Sequence, residues 1–356
     1  MKPFRLAGVA LAVVAMLTPV PLRGDDDALA KYRKPVDEAV DKALAYLAKT
    51  QHAEGYWPSA YAKGNTAPTG LAVMAFLAKG YTPGCGPYGE TINKGIDFVL
   101  ASRQPNGALS PDGLMYAHAI STLMLSEASG MVDAERQKRI DAALSSAVKW
   151  ILTAQQVKKA PINQGGWRYA FTSPDSDLSC SGWALLSLRS ARNNGAQVPK
   201  EAIDQAVKFV LNCRQAVPAG TNPGPAGVGF GYTPPGNGTY AMTGVGVLSL
   251  ELCGKHHAPE SLAGGDFLLA NPVTTFGGGN FYYGLYYVSQ AMWQLGGKYW
   301  EGYAPRMYEM MLQHQAANGS WPAGIAGEGT AGPAFSTAMG VLAVSVSYCQ
   351  LPIYQR

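Results

Sequence analysis

A motif that occurs twice constrains the fold of this chain more than any other feature of its sequence. The pattern Q-x-x-x-G-x-W covers residues 51–57 and again residues 315–321, which lie 264 positions later. Each copy follows an amphipathic stretch and precedes a loop and an apolar segment rich in small residues. A pattern that returns with the same flanking elements indicates an internal repeat. The defining residues are Gln51, Gly55, Trp57, Gln315, Gly319 and Trp321.

Six apolar segments share a second signature, and each starts with a residue that is followed by Gly or Ala. Their first residues are Thr69, His118, Ser181, Thr243, Tyr283 and Thr337. Their spacing averages about 54 residues, so six units nearly fill the chain after residue 24. A charged, amphipathic helix precedes each apolar segment, as in residues 198–211. The sequence therefore predicts an all-α fold, an (α/α)6 toroid of six helix pairs with buried inner helices and half-solvated outer helices.

Composition and charge exclude several classes of protein. Only 15% of residues are charged and 47% are hydrophobic, which excludes low-complexity disorder despite 42 glycines. The net charge of +4 falls close to zero without residues 1–24, and no basic stripe occurs. Electrostatically driven binding of nucleic acid is therefore excluded. The scarcity of charge fits a fold that buries half of its helices.

The N-terminal residues predict that the protein is exported. Lys2 and Arg5 precede an apolar run over residues 6–16, and Pro19 and Pro21 end it. This pattern is typical of a secretory signal, so we expect residues 1–24 to be a signal peptide and the protein to be periplasmic or extracellular. An uncleaved N-terminal anchor, and with it a peripheral membrane contact, stays open as the alternative.

The remaining boundaries follow from the repeat. We expect residues 25–34 to be a linker, residues 35–350 the toroid and residues 351–356 a C-terminal tail. Five widely spaced cysteines are too few for a disulfide framework, and their odd number leaves at least one thiol unpaired.

The repeated motif and the six helix pairs resemble the prenyltransferase and squalene-oxidase repeat superfamily over about residues 35–350. That group includes squalene–hopene cyclases and protein prenyltransferase β subunits, and the chain looks closest to squalene-cyclase-like single toroids that bacteria export. Two further copies of the motif are degenerate: residues 104–107 lack the Trp, and residues 164–167 are compressed. The resemblance implies that the Gln and Trp of the motif tie helix ends together. It also implies an apolar isoprenoid or lipid partner and no cofactor.

The loops that enter the inner helices of such a ring surround one mouth of a central cavity, so we expect the ligand there. Aromatic side chains with few charges suit an apolar ligand and stabilise a carbocation. The alternative is that many of them pack the ring. The candidate ligand-binding residues are Tyr116, His118, Trp167, Tyr169, Tyr232, Tyr240, Tyr282, Tyr283 and Phe335.

Two acids in residues 173–188 resemble the D-x-D-D-T element of class II terpene cyclases. The resemblance assigns Asp175 and Asp177 to the first two acids and Ser179 to the Thr, whereas Leu178 stands where the third acid belongs. It implies acid-initiated cyclisation or isomerisation, because the middle acid of that element protonates an alkene or epoxide. Alternatively, either aspartate caps the inner helix that follows.

Two other classes of function stay open beside a cyclase-like protein. The missing third acid favours a non-catalytic binding or scaffold toroid for a peptide or glycan. A carbohydrate-active enzyme is the third hypothesis, and it requires carboxylates that converge with Asp175 and Asp177.

The sequence predicts no metal site. Zinc of the protein-prenyltransferase kind needs an Asp-x-Cys pair and a later His, but Asp177 and Cys180 have another spacing, and Thr337 replaces the His. A second candidate cluster joins Cys253 to His256 and His257. We interpret this His pair as stabilising the C-terminal end of a helix dipole.

Overall fold

Twelve α-helices alternate between an outer and an inner position in the computed structural model, which describes residues 27–60, 65–217, 224–325 and 327–355. The outer helices are α1 (Asp27–Thr50), α3 (Gly89–Ala101), α5 (Ala134–Gln155), α7 (Lys200–Asn212), α9 (Pro259–Ala270) and α11 (Gly297–Gln313). The inner helices are α2 (Ala67–Ala78), α4 (Met115–Ala128), α6 (Leu178–Asn193), α8 (Tyr240–Leu252), α10 (Phe281–Leu295) and α12 (Gly327–Val344).

The inner helices form a closed ring. Each packs against the next along the chain, and α12 returns to pack against α2. We call the junction between the last helix pair and the first the seam of the ring. The first outer helix, α1, packs against α11 and α12, so the outer layer also closes at this seam. The prediction of an all-α toroid of six helix pairs is confirmed.

Glycines on the inner helices allow the ring to close at this diameter. A Cβ atom on Gly182 would lie 2.4 Å from a methyl group of Val245 on the neighbouring helix α8. A Cβ atom on Gly244 would lie 2.6 Å from a methyl group of Val288 on α10. Close helix–helix approach therefore outweighs the intrinsic cost of Gly in a helix, about 1 kcal/mol per residue.

Each copy of the repeated motif ties the outer helix that precedes it to the loop that follows that helix. The indole of Trp57 donates to the carbonyl of Leu47 at 2.8 Å, and Gln51 Nε2 donates to the carbonyls of Gly55 and Thr91 at 2.9 Å each. The second copy repeats this pattern, with Trp321 donating to Met311 at 2.8 Å.

The seam of the ring carries one of these ties. Gln315 Nε2 donates to the carbonyl of Gly319 at 2.9 Å and to that of Ala39 at 2.7 Å. Since Ala39 belongs to α1, the motif joins the last helix pair to the first in the way that Gln51 joins the first pair to the second.

A third intact tie uses Gln155, which corrects the interpretation of residues 164–167 as a compressed motif. Gln155 Nε2 donates to the carbonyls of Gly165 and Ala202 at 2.9 and 2.8 Å, and Trp167 donates to that of Ile151 at 2.8 Å. A longer loop separates the Gln from the Gly here, so the Gln that lies adjacent in sequence is not the one that forms the tie.

The two expected terminal segments are more structured than their predicted roles imply. Helix α1 begins at Asp27, so residues 27–34, expected as a linker, are helical. The amphipathic pattern extends to Tyr32, which is buried. The predicted signal peptide over residues 1–24 lies outside the described residues.

The segment after α12 covers the end of the ring at which the inner helices finish. Leu351, Ile353 and Tyr354 are buried, so these three residues of the expected tail belong to the core. The Tyr354 hydroxyl hydrogen-bonds to that of Tyr286, and the N–H of Ile353 donates to Glu127 Oε2 at 3.1 Å. In the described part of the chain, every helix is too short or too polar to cross a membrane.

Candidate functional site

Three loops at the N-terminal ends of the inner helices are hydrogen-bonded to one another and form one rim of the ring. The N–H of Met115, the first residue of α4, donates to the carbonyl of Tyr169 at 2.8 Å. The N–H of Leu178, the first residue of α6, donates to that of Tyr232 at 2.8 Å. Because helix N-termini have unpaired N–H groups, these bonds hold Tyr169 and Tyr232 at equivalent places in successive repeats.

The two tyrosines meet an arginine and two acids, and together these residues form the mouth cluster: Arg168, Tyr169, Asp175, Asp177 and Tyr232. The hydroxyls of Tyr169 and Tyr232 are 2.6 Å apart, and the Arg168 guanidinium lies 5.8 and 5.7 Å from the two ring centroids. Arg168 Nη1 pairs with Asp175 Oδ2 at 2.8 Å, and Arg168 Nε lies 3.5 Å from Asp177 Oδ2. The arginine therefore links both predicted acids to both aromatic rings.

Asp177 is the N-cap of α6 and is also a buried acid. Its Oδ1 accepts the N–H of Cys180 at 2.7 Å, while Oδ2 accepts no hydrogen bond from any residue that the structure describes. Burial raises the pKa of Asp177 to about 6, against the opposing effects of the Cys180 N–H and the Arg168 charge. A carboxyl group with such a pKa exchanges its proton close to neutral pH. The expected helix cap is therefore present at Oδ1, whereas the expected role of Asp177 as an acid stays a prediction.

The predicted residues Tyr116 and Tyr283 lie directly below the mouth cluster. Tyr116 hydrogen-bonds to Ser179 Oγ, and its ring centroid is 6.0 Å from that of Tyr169 and 6.4 Å from that of Tyr283. Helices α4 and α10 belong to opposite pairs of the ring, so the last contact crosses the axis.

Further aromatic contacts continue along the axis. Tyr287 lies 4.9 Å from both Tyr283 and Tyr286, and Trp183 stacks on Tyr286 at 5.3 Å, all measured between ring centroids. Tyr354 reaches the same column from the other end. Aromatic side chains therefore fill the axis in the region where we expected a cavity.

Two of the predicted ligand-binding residues belong to the wall of the ring. Trp167 is 1% exposed and forms the third tie. His118 Nδ1 accepts the N–H of Leu109 at 3.0 Å, so Nε2 donates to the carbonyl of Ala147 at 3.1 Å. Burial lowers the pKa of His118 to about 4, which keeps the ring neutral.

The position of His118 recurs around the ring, which explains why it starts a repeat signature. The equivalent side chains of Thr69, Ser181, Thr243 and Thr337 accept the N–H groups of Trp57, Trp167, Phe230 and Trp321. His118 is therefore a structural acceptor that replaces a hydroxyl.

The remaining predicted residues lie away from the mouth cluster. Tyr240, the first residue of α8, lines a small pocket with Tyr303 among helices α8, α9, α10 and α11. Tyr282 is buried, and its hydroxyl donates to the carbonyl of Pro322 at 2.7 Å. Phe335 packs half-buried against the core.

Sequence reasoning missed Arg168 and the shared location of the exposed apolar side chains. Leu114, Ile162, Tyr169, Tyr232 and Ile325 are the five large apolar residues that the structure shows as exposed, at 37% to 59%. All of them lie in loops that lead from an outer to an inner helix. A signal for Arg168 existed, because a cation between two aromatic residues precedes the two acids by seven and nine positions.

Comparison with known proteins reveals similarity in structure only. No family model matches the sequence, and no curated protein matches it. The α-1,6-mannanase GH76A of Salegentibacter sp. HEL1_6 superposes with a TM-score of 0.61 at 11% identity, covering 88% of this chain and 99% of that chain. A GH76 α-mannanase of Bacteroides thetaiotaomicron gives 0.56 at 10% identity, over 90% and 98%.

A third structure is the type II terpene cyclase MstE from Scytonema, with a TM-score of 0.42 at 15% identity over 89% and 99%. Identities this low show a shared fold and nothing finer. The chain is an α/α toroid.

Proposed function

We propose that the protein is a squalene-cyclase-like toroid that binds an apolar ligand of the isoprenoid or lipid class at the mouth of its ring. The observation that carries the proposal is the gathering of the five exposed apolar side chains in the loops of one rim. Exposed apolar side chains that form a contiguous patch are typical of a binding surface, and Tyr169 and Tyr232 are in contact there, with their hydroxyls 2.6 Å apart. A hydrocarbon chain across Tyr169 and Tyr232 removes both rings from water.

The side chains packed along the axis of the ring limit how deeply this ligand can enter. Tyr116 and Tyr283 meet across the ring below the mouth cluster, so the ligand lies on the rim and not inside the ring. Tyr169 and Tyr232 are its main contacts, since each leaves more than a third of its side chain exposed.

Acid-initiated cyclisation or isomerisation is the chemistry that this position supports. Asp177 Oδ2 carries the proton, because Oδ1 is engaged in the helix cap. Transfer to an alkene carbon leaves a carboxylate, which Arg168 stabilises at 3.5 Å, and loss of a proton from the final cation restores the acid. Asp177 is closed off from solvent, so the loops around it must open for this step.

A titration with geranylgeraniol, a C20 isoprenoid alcohol, tests binding. We expect the Tyr169→Ala/Tyr232→Ala variant to bind at least tenfold more weakly in calorimetry, a loss of about 1.4 kcal/mol. Tyr81→Ala is the matched control, because this tyrosine lies in a loop at the opposite end of the ring. An equal affinity in the double variant and the wild type would contradict the proposed surface.

Turnover is tested separately with Asp177→Asn. Asparagine still caps α6 through its side-chain oxygen, so we expect the fold and the affinity for geranylgeraniol to be retained. Product formation should be abolished. Cyclised or isomerised product from the variant at the wild-type rate would remove Asp177 from the mechanism.

A carbohydrate ligand is the second candidate, supported by two carboxyl groups on one guanidinium beside two exposed tyrosine rings. A pair of carboxyl groups is the usual requirement for glycoside hydrolysis. The same titration with α-1,6-mannotriose, the ligand of the Salegentibacter mannanase, separates the two. Binding of mannotriose without binding of geranylgeraniol selects the carbohydrate.

A further inference from the structure

The end of the ring opposite the mouth carries a cluster of three potential metal ligands. Glu251 lies in the last turn of α8, and His256 and His257 follow in the loop that leads to α9. Their ligand atoms all lie within 4.8 Å of one another. The carboxylate is buried and the two histidines are exposed, so the cluster has an anchored side and an open side.

The carboxylate of Glu251 is held with one oxygen directed at the histidines. Its Oε1 accepts the N–H of His257 at 2.9 Å and the hydroxyl of Ser261 at 2.6 Å. Its Oε2 contacts His256 Nδ1. Metal-binding carboxylates are commonly oriented in this way by donors on their second oxygen.

The ring of His257 is oriented for ligation by a backbone carbonyl. Its Nε2 lies 3.0 Å from the carbonyl oxygen of Leu295 at the end of α10. A carbonyl accepts only, so Nε2 carries the hydrogen and the neutral ring presents a lone pair at Nδ1. A hydrogen bond from the second ring nitrogen to a carbonyl is the usual support of a metal-binding histidine.

This contact also refines the interpretation of the histidine pair as a helix terminus. His257 caps the C-terminal end of α10 and not that of α8, which precedes it in the chain.

His256 stacks on His257 with ring centroids 3.8 Å apart, and its Nδ1 faces the carboxylate. A carboxylate accepts only, so Nδ1 carries the hydrogen of this contact. Ligation through Nδ1 moves this hydrogen to Nε2, so a neutral ring needs no net loss of a proton.

We propose that Glu251, His256 and His257 form a Zn²⁺ site. Two imidazoles and one carboxylate suit zinc, and three protein ligands leave a fourth position for water. Zinc binds such donors at about 2.0–2.2 Å, so the donor atoms need to draw together by roughly 1 Å. Histidines in an exposed loop can make that movement, whereas the carboxylate stays in place. The site is independent of the function proposed for the mouth.

Competition with a chromophoric zinc chelator tests the site on the purified, metal-stripped chain. We expect one Zn²⁺ per chain and a rise in melting temperature with zinc concentration. His256→Ala/His257→Asn should weaken zinc binding at least tenfold. Asn is chosen because His257 has a φ of +53°, which asparagine tolerates.

The other two exposed histidines provide the control. His52→Gln/His314→Gln leaves the cluster intact and should bind zinc as the wild type does. Ser261→Ala removes one donor to the carboxylate and should weaken binding by roughly tenfold without loss of stoichiometry. Wild-type affinity in the cluster variant, or less than one Zn²⁺ per wild-type chain at saturation, overturns the proposal.

Discussion

Glu127 is a carboxyl group buried at the closed end of the ring. Its Oε1 accepts the hydroxyl of Ser190 at 2.5 Å, and its Oε2 accepts the N–H of Ile353 at 3.1 Å. Burial raises the pKa of Glu127 to about 7, and these two hydrogen bonds oppose the shift only in part. The folded protein therefore holds a proton that the unfolded chain releases above pH 4.5 or so.

Glu127→Gln should change how stability depends on pH. In the wild type this carboxyl lowers the free energy of unfolding as pH rises from about 4.5 to 7, by on the order of 2–3 kcal/mol. Glutamine has no proton to lose, so the variant should gain that amount relative to the wild type between these pH values. Urea unfolding at pH 4.5, 6 and 8 measures the difference.

His118 acts in the opposite direction, since its lowered pKa destabilises the fold as pH falls from about 6.5 to 4. Both proteins contain His118, so its contribution cancels when the free energy of unfolding of the wild type is subtracted from that of the variant. A difference that is the same at all three pH values would show that Glu127 does not titrate as described.

At the scale of the elements, loops approach outer helices at glycines with positive φ. Gly319 has a φ of +89°, and a Cβ atom there would lie 2.3 Å from the carbonyl oxygen of Lys42 on α1. Gly55 and Gly165 hold the same position in the other two ties, each 2.3 Å from a carbonyl oxygen of the next outer helix. The motif glycine thus permits both a left-handed turn and a close contact.

Gly319→Ala should destabilise the fold by roughly 2–4 kcal/mol, because it adds a clash to the cost of a left-handed alanine. Gly195→Ala is the matched control. Its φ is +86°, but nothing lies within 4 Å of the added Cβ, so only the conformational cost of about 1–2 kcal/mol applies. Equal losses of unfolding free energy in urea would mean that the close contact contributes nothing.

At the scale of the whole molecule, closure of the ring predicts that hydrogen bonds across the seam contribute as much to stability as the equivalent bonds between other helix pairs. Gln315 and Gln51 are both half-buried and each donates two hydrogen bonds, Gln315 across the seam and Gln51 within the ring. We expect Gln315→Ala and Gln51→Ala to cost similar free energies, about 1–3 kcal/mol each. In a ring that is open in solution Gln315→Ala would lose only the bond to Gly319, so its cost in thermal unfolding would fall clearly below that of Gln51→Ala.

The helix pairs and their closure could be predicted because amphipathic spacing and a repeated motif are local patterns that one ring satisfies. The tie of Gln155 could not, since an insertion hides the Gly that it reaches. The link from Arg168 to Asp175 and Asp177 depends on the fold of a loop, and no local pattern in the sequence predicts that fold. The contact of Tyr116 with Tyr283 depends on the diameter of the ring, and for this reason a filled axis was not foreseen.

The packing of α1 against α11 and α12 has a consequence for how the protein opens locally. In a linear stack of helix pairs the outermost pairs fray, and their amide hydrogens exchange faster than those of the middle. Here the outermost pairs in the sequence are neighbours in space, so no pair occupies an exposed flank. The rate of amide hydrogen exchange should then depend on whether a helix is inner or outer, and all inner helices should exchange slowly. We expect no gradient of exchange rate along the chain of the kind that linear arrays show.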